Sequence, residues 1–587
     1  MSNSISNQKF LDTKVLGHPS GLFVLFFTEM WERFSFYGMR VLLIQFLTAQ
    51  VIFGSPASGW GWTAEQAGAL YGTYAMMLYL TPILGGIIAD KYLGSRQAVI
   101  IGALIMTFGH AAMAIDTPAM FYLGLAGLVI GTGFFKPNMP SILGEMYKSL
   151  PDKKDGAYTI FYMGVNAGAF FGMMLCGYLA ERMGWHYGFG LAGIFMLLGT
   201  IQFWAAKPLM GNLGVLDKKV ATEDKVENKV TDEADVKNPF TLVDVVLIVV
   251  VSIIGFLYAF NDPLSKNGII DIFAGIDTPF LRGQDIMILF ALVLFVTLIV
   301  SRILRYGKVV RDRMFAVILL AFFLLLFFMS FEQGATSLVI VARDYIDRSL
   351  EGSALTIFNV VNTLLTVVPL LIISYVLFIL AKVTWKTIAL SNVVLLVCFA
   401  LIWGAAIWML NNEFSKESSE ITVSWFSTLN SFFIIALAST VSKLWDSKYN
   451  PSAAFKYGFG LILIAVGFLI IGLGASGIAD GIKIPMIFLI LTYLFHTLGE
   501  LFISPVGLSY VSKLVPAKML AFMFGMWYLA IAIAQKLAAI LGGQVETIQQ
   551  NYSLSHFFFL FTAIATVAGI IVMLLNPVIK KLMHGIK

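Results

Sequence analysis

Charged residues are scarce in this sequence. Lys, Arg, Asp and Glu together make up 12% of the 587 residues, which is about half the share that is usual in soluble domains. A soluble protein of this length would need charged faces on its helices, so the composition excludes that class. The hydrophobic residues, 59% of the chain, come instead in long runs such as 245–260, 286–300 and 314–328.

Cysteine and histidine are also rare, and several chemical motifs are missing. Cys176 and Cys398 lie inside apolar runs, which predicts buried thiols and no disulfide framework. The six histidines are scattered without ligand spacing, so we predict no metal site. The sequence contains neither a phosphate-binding loop nor a Gly-x-Ser-x-Gly elbow. We therefore predict no catalytic residues, no enzyme activity and no cofactor, with protons as the only coupling ion.

The apolar runs predict an all-α integral membrane protein. Runs of about 20 residues match the thickness of the hydrocarbon core, and a helix carries its backbone polar groups through it. We predict about 16 spans. They are placed near 21–50, 65–89, 97–115, 119–144, 157–180, 187–206, 241–261, 284–304, 313–342, 354–381, 387–410, 420–445, 456–475, 484–511, 518–541 and 556–577.

The distribution of basic residues predicts the orientation. An even number of spans puts both termini on one side of the membrane. Most Lys and Arg residues fall in segments on that side, including Lys153, Lys154, the cluster 302–313, Lys580 and Lys581. The positive-inside rule then predicts a multi-pass protein of the cell (inner) membrane with both termini in the cytoplasm. The net charge of +5 reflects this asymmetry and does not indicate a nucleic-acid partner.

A single long polar segment divides the chain. Residues 207–239 are rich in Lys, Asp and Glu, which predicts a solvated cytoplasmic linker. A six-helix bundle over 1–206 precedes it, and 306–587 holds at least six more spans. This layout is typical of the major facilitator fold, with two six-helix bundles. The surplus spans include an extra transmembrane hairpin at 240–305.

Ionisable residues inside the apolar runs are candidates for function. A charge at bilayer depth costs at least about 2.5 kcal/mol on insertion scales. Those in the predicted spans are Glu29, Glu32, Arg33, Arg40, Lys136, Glu332, Glu500 and Lys536. They could instead be ion pairs that hold helices together, or residues that snorkel near helix ends. For Lys536 this structural alternative is as strong as the functional one. Acids and bases on different helices favour a water-filled cavity for a zwitterionic solute.

Five stretches match signatures of one family, in the family's order. Residues 29–38 read Glu-Met-Trp-Glu-Arg-Phe-Ser-Phe-Tyr-Gly and resemble E-x-x-E-R-F-x-Y-Y-G, the first-helix motif of proton-dependent oligopeptide transporters. Residues 85–94 resemble the loop motif between helices two and three. Residues 134–138, 161–168 and 499–509 resemble the fourth-, fifth- and tenth-helix motifs. The chain thus resembles bacterial members of this family of the major facilitator superfamily.

The resemblance implies roles for individual residues. In the family, the motif arginine and the fourth-helix lysine bind the peptide carboxylate, and the tenth-helix glutamate faces the peptide amino group. The substrate-binding positions implied here are Arg33, Tyr37, Arg40, Tyr74, Lys136, Asn166, Asn430, Glu500 and Trp527. The proton-coupling positions implied are Glu29, Glu32, Arg33 and Glu332. Phe36 departs from the motif, where the family has a tyrosine.

The resemblance also locates the second surplus hairpin. Residues 425–431 resemble the family's eighth helix, so spans 354–381 and 387–410 would be inserted between the seventh and eighth helices. The common bacterial members have only the earlier hairpin. We expect the linking turn at 382–386.

The function implied is proton-coupled import of di- and tripeptides by alternating access, by a functional monomer in the lipid bilayer. One alternative keeps the fold and changes the solute to an anion, an amino acid or a drug-like molecule. Another is a membrane-embedded enzyme or a non-transporting receptor. A carrier of anions alone would not need the acid Glu500 beside Arg33 and Lys136, which favours peptides.

Overall fold

The structure of the protein is a computed structural model, which describes residues 9–115, 117–216, 238–445, 447–448, 450–477, 482–515 and 520–586. The described chain is mostly helical. The predicted linker 207–239 lies largely outside the described residues, although a short helix, Lys207–Met210, is present at its start.

Six long helices form the N-terminal bundle. They are α1 (Ser20–Thr48), α2 (Ala64–Ile88), α3 (Ser95–Met113), α4 (Pro118–Phe135), α5 (Lys154–Met183) and α6 (Trp185–Ala205). A π-helical turn, Ala89–Leu93, extends α2, and a short helix, Asn138–Met146, follows α4 after a break. The break falls at Pro137, which lacks the N–H that a continuous helix needs. Two further short helices are Lys9–Asp12 and the 3₁₀ turn Pro151–Lys153.

A transmembrane hairpin follows the linker. It consists of α7 (Leu242–Lys266) and α8 (Gly283–Leu304), with a 3₁₀ turn, Ala274–Ile276, between them. Thr241 and Asp244 form a capping box at the start of α7, which satisfies two backbone donors of the first turn.

The remaining long helices are α9 (Lys308–Phe331), α10 (Gly352–Phe414), α11 (Val423–Trp445), α12 (Ala453–Ser476), α13 (Met486–Leu514), α14 (Leu520–Gly542) and α15 (Leu554–Leu574). A 3₁₀ turn, Glu332–Ala335, and a short helix, Ser337–Asp344, continue α9. The short helices Val545–Asn551 and Asn576–Leu582 follow α14 and α15. All helices except α10 in this group belong to the C-terminal bundle.

Strands are confined to three short pairs among the described residues. Lys14–Val15 pairs antiparallel with His18–Pro19, and Ile346–Asp347 pairs parallel with Ile484–Pro485. Ser349–Glu351 pairs antiparallel with Ser418–Glu420, with Leu350 opposite Ser419. This last ladder joins the segment just before α10 to the segment just after it.

The number of membrane crossings agrees with the predicted fold. Fourteen helical segments of the described chain are long and apolar enough to span a membrane. Helix α1 is not among them because its 29 residues carry four charges, yet it is buried in the bundle along most of its length. Helix α10 is one of the fourteen but crosses twice. The all-α membrane fold with about sixteen crossings is therefore confirmed.

Helix α10 is a hairpin rather than a straight rod. Its backbone is non-helical at Ile388, so the turn lies slightly beyond the predicted segment 382–386. The side-chain amide of Asn359 donates to the carbonyl of Glu413 at 3.3 Å, which joins the two ends of the segment. At 1.5 Å per residue, a straight helix would hold these residues about 80 Å apart.

The α10 hairpin leaves and re-enters the C-terminal bundle but packs on the N-terminal one. The hydroxyl of Ser391 donates to the carbonyl of Gln202 on α6 at 3.0 Å. The ring of Phe399 lies 5.7 Å from the rings of both Phe27 and Trp31 on α1. The hairpin therefore covers a surface of the bundle to which it is not directly connected.

Small residues allow α1 and α5 to approach closely. Gly164, Gly168 and Gly172 recur every four residues on α5, and each faces a backbone carbonyl of α1. A Cβ built at Gly164 would lie 3.0 Å from the carbonyl oxygen of Phe26. This small-residue stripe sets the position of α1, on which most of the predicted site residues lie.

The polar contacts between the two bundles lie in one half of the membrane-spanning region. Because the number of crossings is even, the chain begins and ends on the same side; the face that holds residues 9–19 and 576–586 is here called the near face, and the opposite one the far face. Among the described residues, the hydrogen bonds and ion pairs that join the two bundles lie in the far half. They include Arg40–Glu332, Thr73–Lys536, Ala69–Lys536, Thr48–Arg343, Ala64–Glu546, Glu181 with the backbone of Val423 and Ser424, and Arg182 with the Ser419 hydroxyl and the Glu420 carbonyl. The conformation is therefore closed at the far face.

Candidate functional site

The acids and bases of the first-helix motif form one buried cluster. The spacing of Glu29, Glu32 and Arg33 puts their side chains on one face of α1. The Arg33 Nε donates to Glu29 Oε1 at 2.8 Å and lies 2.9 Å from Glu32 Oε2. The relative exposures of the three residues are 3%, 0% and 8%. One arginine thus neutralises two buried carboxylates only in part.

The two carboxylates differ in their hydrogen bonds. Glu29 accepts the N–H of Arg33, whereas neither carboxylate oxygen of Glu32 accepts a hydrogen bond from the described residues. Among the described residues, Glu32 therefore has an opposite charge nearby but no hydrogen-bond donor directed at it. A carboxyl group in that position can take up a proton without breaking a hydrogen bond, which suits a proton-binding role.

Lys136 lies where the fourth span is interrupted. It is the last residue before Pro137, so its side chain projects from the end of α4. Its ammonium group lies 4.0 Å from the centre of the Tyr79 ring on α2, and no carboxylate of the described residues pairs with it. The ammonium group interacts electrostatically with Glu32 and repels Arg33. Lys136 is therefore available to an anionic group of a ligand.

A second charged pair crosses between the bundles. Arg40 on α1 forms an ion pair with Glu332 at the end of α9. The Arg40 Nε also donates to the Tyr71 hydroxyl at 2.7 Å. The other Glu332 oxygen accepts from the amide of Gln535 on α14 at 2.7 Å. Three helices and the turn after α9 thus hold one salt bridge at the interface of the bundles.

The predicted acid of the C-terminal bundle has polar neighbours of its own. The amide of Asn430 on α11 donates to Glu500 Oε2 and to the Thr497 hydroxyl, both at 3.0 Å. No basic side chain of the described residues forms an ion pair with Glu500. Asn430 therefore orients a carboxylate that has no cationic partner in the part of the chain that the structure describes.

Tyr37 lies between these groups. Its hydroxyl interacts electrostatically with Arg33 and Arg40 on α1 and with Glu332 and Glu500 from the other bundle. Tyr74 is buried on α2, and its hydroxyl has no hydrogen-bond partner among the described residues. The two phenols supply polar groups beside the charged ones.

For the other predicted positions, Asn166 and Trp527, the structure shows no hydrogen bond to the charged groups among the described residues. The amide of Asn166 donates to the carbonyl of Tyr162 on its own helix at 3.0 Å. Trp527 is buried against Gly507, with the ring in close contact with the backbone of α13. Their proposed contacts with a peptide remain predictions.

Lys536 lies outside this site and matches the structural alternative. Its ammonium group donates to Asp262 on α7 at 2.5 Å, and to the Thr73 hydroxyl and the Ala69 carbonyl on α2 at 3.0 Å. It thus joins the first extra hairpin to both bundles. Among the described residues there is no group of three or more His, Cys, Asp or Glu side chains that could hold a metal ion.

A family model decides the assignment of the chain. The model described as the POT family matches residues 96–391 and 403–557, well over half of the sequence. The chain belongs to the POT family. The predicted family is thereby confirmed, and the chain is a multi-pass membrane transporter and not an enzyme.

Relatives and solved structures agree with the POT assignment along the whole chain. The sequence is 30% identical to the "Uncharacterized transporter YclF" of Bacillus subtilis over 97% of this chain and 96% of that protein. It is 29% identical to "Peptide transporter YePEPT" of Yersinia enterocolitica, again over 97% and 96%. The fold is similar to a crystal structure of a peptide transporter POT in complex with sulfate, with a TM-score of 0.70 and 28% identity over 99% and 100% of the two chains. The predicted major facilitator fold is confirmed.

Several partners of the POT site residues escaped the sequence analysis. These are Tyr71, Tyr79, Thr497 and Gln535. A helical-spacing argument could have found three of them, because Tyr71 precedes Tyr74 by three residues, Thr497 precedes Glu500 by three, and Gln535 follows Trp527 by eight. Tyr79 has no comparable signal, because its contact with Lys136 depends on how α2 and α4 pack.

Proposed function

We propose that the protein imports di- and tripeptides together with protons. The observation that carries this proposal is the separation of charge across the bundle interface. Arg33 and Lys136 belong to the N-terminal bundle, whereas Glu500 belongs to the C-terminal bundle and lacks a basic partner among the described residues. A zwitterion that lies between the bundles would complement both sets. The relative named as a peptide transporter supports the same substrate class.

Such a site would recognise the two ends of a peptide. The termini of an extended dipeptide lie about 6–7 Å apart, at roughly 3.3–3.6 Å per residue. The carboxylate would bind Arg33 and Lys136, and the amino group would bind Glu500. Because this recognition uses the termini, many side chains would be accepted. Tyr37, Tyr74, Asn166 and Trp527 would line the space between.

Proton coupling is proposed for the buried acids. Protonation of Glu332 would weaken its ion pair with Arg40, which joins the bundles in the far-closed state. Protonation of Glu32 would leave Arg33 paired with Glu29 alone. Protons and peptide would then act on the same set of ion pairs, and their binding would be linked.

The test is uptake of labelled dialanine into proteoliposomes, with and without an inward proton gradient. We expect accumulation that requires the gradient and is lost in Glu500→Ala. Glu417→Ala is the matched control, because Glu417 is an exposed acid outside the spans and should leave uptake unchanged. Transport of single amino acids or anions without transport of peptides would refute the substrate class.

We also propose an orientation in the cell (inner) membrane with both termini in the cytoplasm. The near face carries the basic cluster 302–313 together with Lys153, Lys154, Lys580 and Lys581. This is the side that the positive-inside rule assigns to the cytoplasm. Protection of a C-terminal tag from protease added to spheroplasts, with cleavage after their lysis, would support the orientation, and cleavage in intact spheroplasts would refute it.

A functional monomer is proposed because a single chain supplies both sides of the site, Arg33 and Lys136 from the N-terminal bundle and Glu500 from the C-terminal bundle. Reconstitution at one protein per vesicle should retain the uptake rate per protein molecule. A rate that falls in proportion to dilution would instead indicate an oligomer.

A further inference from the structure

A glutamate at the end of α5 binds the first turn of α11. Glu181 Oε2 accepts the backbone N–H of Val423 at 3.0 Å, and Oε1 accepts that of Ser424 at 3.2 Å. These are the first two residues of α11, whose N–H groups have no acceptor within the helix. Glu181 belongs to the N-terminal bundle and α11 to the C-terminal bundle. One bundle thus caps a helix of the other.

A second glutamate makes the reverse contact. Glu546 lies in the short helix after α14, in the C-terminal bundle, and its Oε2 accepts the backbone N–H of Ala64 at 3.0 Å. Ala64 is the first residue of α2. The capping box of Thr63 and Gln66 satisfies other donors of this turn and leaves the N–H of Ala64 free. Glu546 supplies the missing acceptor.

The two contacts occupy equivalent places in the two halves of the fold. In the major facilitator fold the halves are related by an axis along the membrane normal. Helices α2 and α11 are the second helices of their bundles, and α5 and α14 are the fifth. In each case a carboxylate at the far end of a fifth helix caps the second helix of the opposite bundle.

The backbones also approach closely beside each cap. A Cβ built at Gly68 on α2 would lie 2.6 Å from the carbonyl oxygen of Ala539 on α14. A Cβ at Gly177, one turn before Glu181, would clash with the side chain of Ser424. Each cap therefore depends on a tight contact between helices of different bundles and cannot persist when the bundles separate at the far face.

We propose that Glu181 and Glu546 are paired inter-bundle caps that hold the far face closed and are released each time it opens. This inference rests on the proposed transport by alternating access, which requires the far face to open. It assigns to two glutamates outside the peptide site a role in setting the ratio of the far-open to the far-closed conformation.

The chemistry of a cap suits a contact that is broken in every cycle. A carboxylate near a helix N-terminus is stabilised both by the N–H donors and by the helix dipole. When the far face opens, water can replace each partner, so no buried charge is stranded. The closed state is favoured by a modest amount, and the transporter does not become locked.

The test measures the distance between spin labels at positions 53 and 482. Phe53 and Ile482 are exposed residues at the far face, one on each bundle. Cys176 and Cys398 are buried, so labels attach at the introduced cysteines. We expect Glu181→Ala and Glu546→Ala each to raise, about five-fold, the population with a long label distance relative to the population with a short one. The double variant should raise this population ratio about 25-fold, because the two caps act independently.

Two further variants make the result specific. Glu181→Gln keeps an oxygen acceptor but no charge, and should give a shift smaller than that of Glu181→Ala. Glu417→Ala removes an exposed acid at the same face that forms no ion pair among the described residues, and should leave the distances unchanged. Distances in the double alanine variant that equal those of the unmodified protein would overturn the proposal. Because no substrate is needed, this outcome is distinct from a failure of peptide uptake.

Discussion

At the level of single residues, the two glutamates that contact Arg33, Glu29 and Glu32, should differ in their contribution to stability. We expect Glu29→Ala to lower the free energy of unfolding more than Glu32→Ala, by about 1.5 kcal/mol, because only Glu29 accepts a charged hydrogen bond from Arg33. Chemical unfolding in mild detergent would measure the difference. The two variants are matched controls for each other, and equal losses would contradict this prediction.

Glu332 should matter to energy coupling more than to peptide exchange. In Glu332→Gln the side chain keeps its size but loses the ion pair with Arg40, and it cannot bind or release a proton. We expect proton-driven uptake to fall by about ten-fold or more, as for the loss of a charged hydrogen bond, while exchange of peptide across the membrane persists. Counterflow of labelled dialanine without a gradient would measure the exchange.

Two outcomes of the Glu332→Gln experiment would contradict the predicted role of Glu332. If Glu332→Gln accumulates peptide in response to a proton gradient as the unmodified protein does, Glu332 is not a coupling residue. A parallel loss of counterflow would instead indicate damage to the site as a whole. Glu417→Gln provides the matched exposed control.

At the level of elements, the α10 hairpin should be dispensable for transport. Its base is the ladder in which Glu351 lies opposite Ser418. Replacing 352–417 by Asn-Gly would close this ladder with a two-residue turn. No predicted site residue lies in the removed segment, so we expect uptake within about two-fold of the full chain. The melting temperature should fall, because the surface around Phe27 and Trp31 loses its cover.

The α10 prediction needs a measurement of folding as well as of uptake. A monodisperse, folded variant that fails to transport dialanine would show that the hairpin takes part in the cycle. An unchanged melting temperature would show that lipid replaces its packing without cost.

Elements were the most predictable part of the structure. The apolar runs located every crossing, including the α10 hairpin, because each crossing must satisfy its backbone within a single segment of sequence. The turn of that hairpin was misplaced by a few residues, since the helix continues through Lys382 and Lys386 to Ile388. The packing of α10 on α6 was not foreseen, because Ser391 and Gln202 carry no mark of their contact.

At the level of the whole molecule, closure of the far face should require the glycine contact between α2 and α14. We expect Gly68→Val to reduce dialanine uptake by about ten-fold, because the added side chain would press on the carbonyl of Ala539 in the closed state. Gly404→Val is the control, since nothing lies within 4 Å of a Cβ at Gly404. Uptake that is equal in the two variants would contradict the prediction.

Relations between the bundles could not have been predicted in the same way as the crossings. The resemblance gave Arg40 and Glu332 as separate site positions, and the structure shows that they form an ion pair. The caps at Glu181 and Glu546 have no sequence signal, because they join a side chain to backbone groups far away in the chain. Such contacts depend on the relative position of the bundles, which helical spacing does not encode.

The position of α10 has a consequence for biosynthesis. Helix α6 is complete at Ala205, but the hairpin that covers it ends only at Phe414, about 200 residues later. At roughly 5–20 residues per second, the ribosome needs about 10–40 s to make that segment. During this interval lipid, or the insertion machinery, must occupy the surface that α10 later takes. The nascent N-terminal bundle is therefore assembled with a temporary partner, which the newly inserted hairpin has to displace.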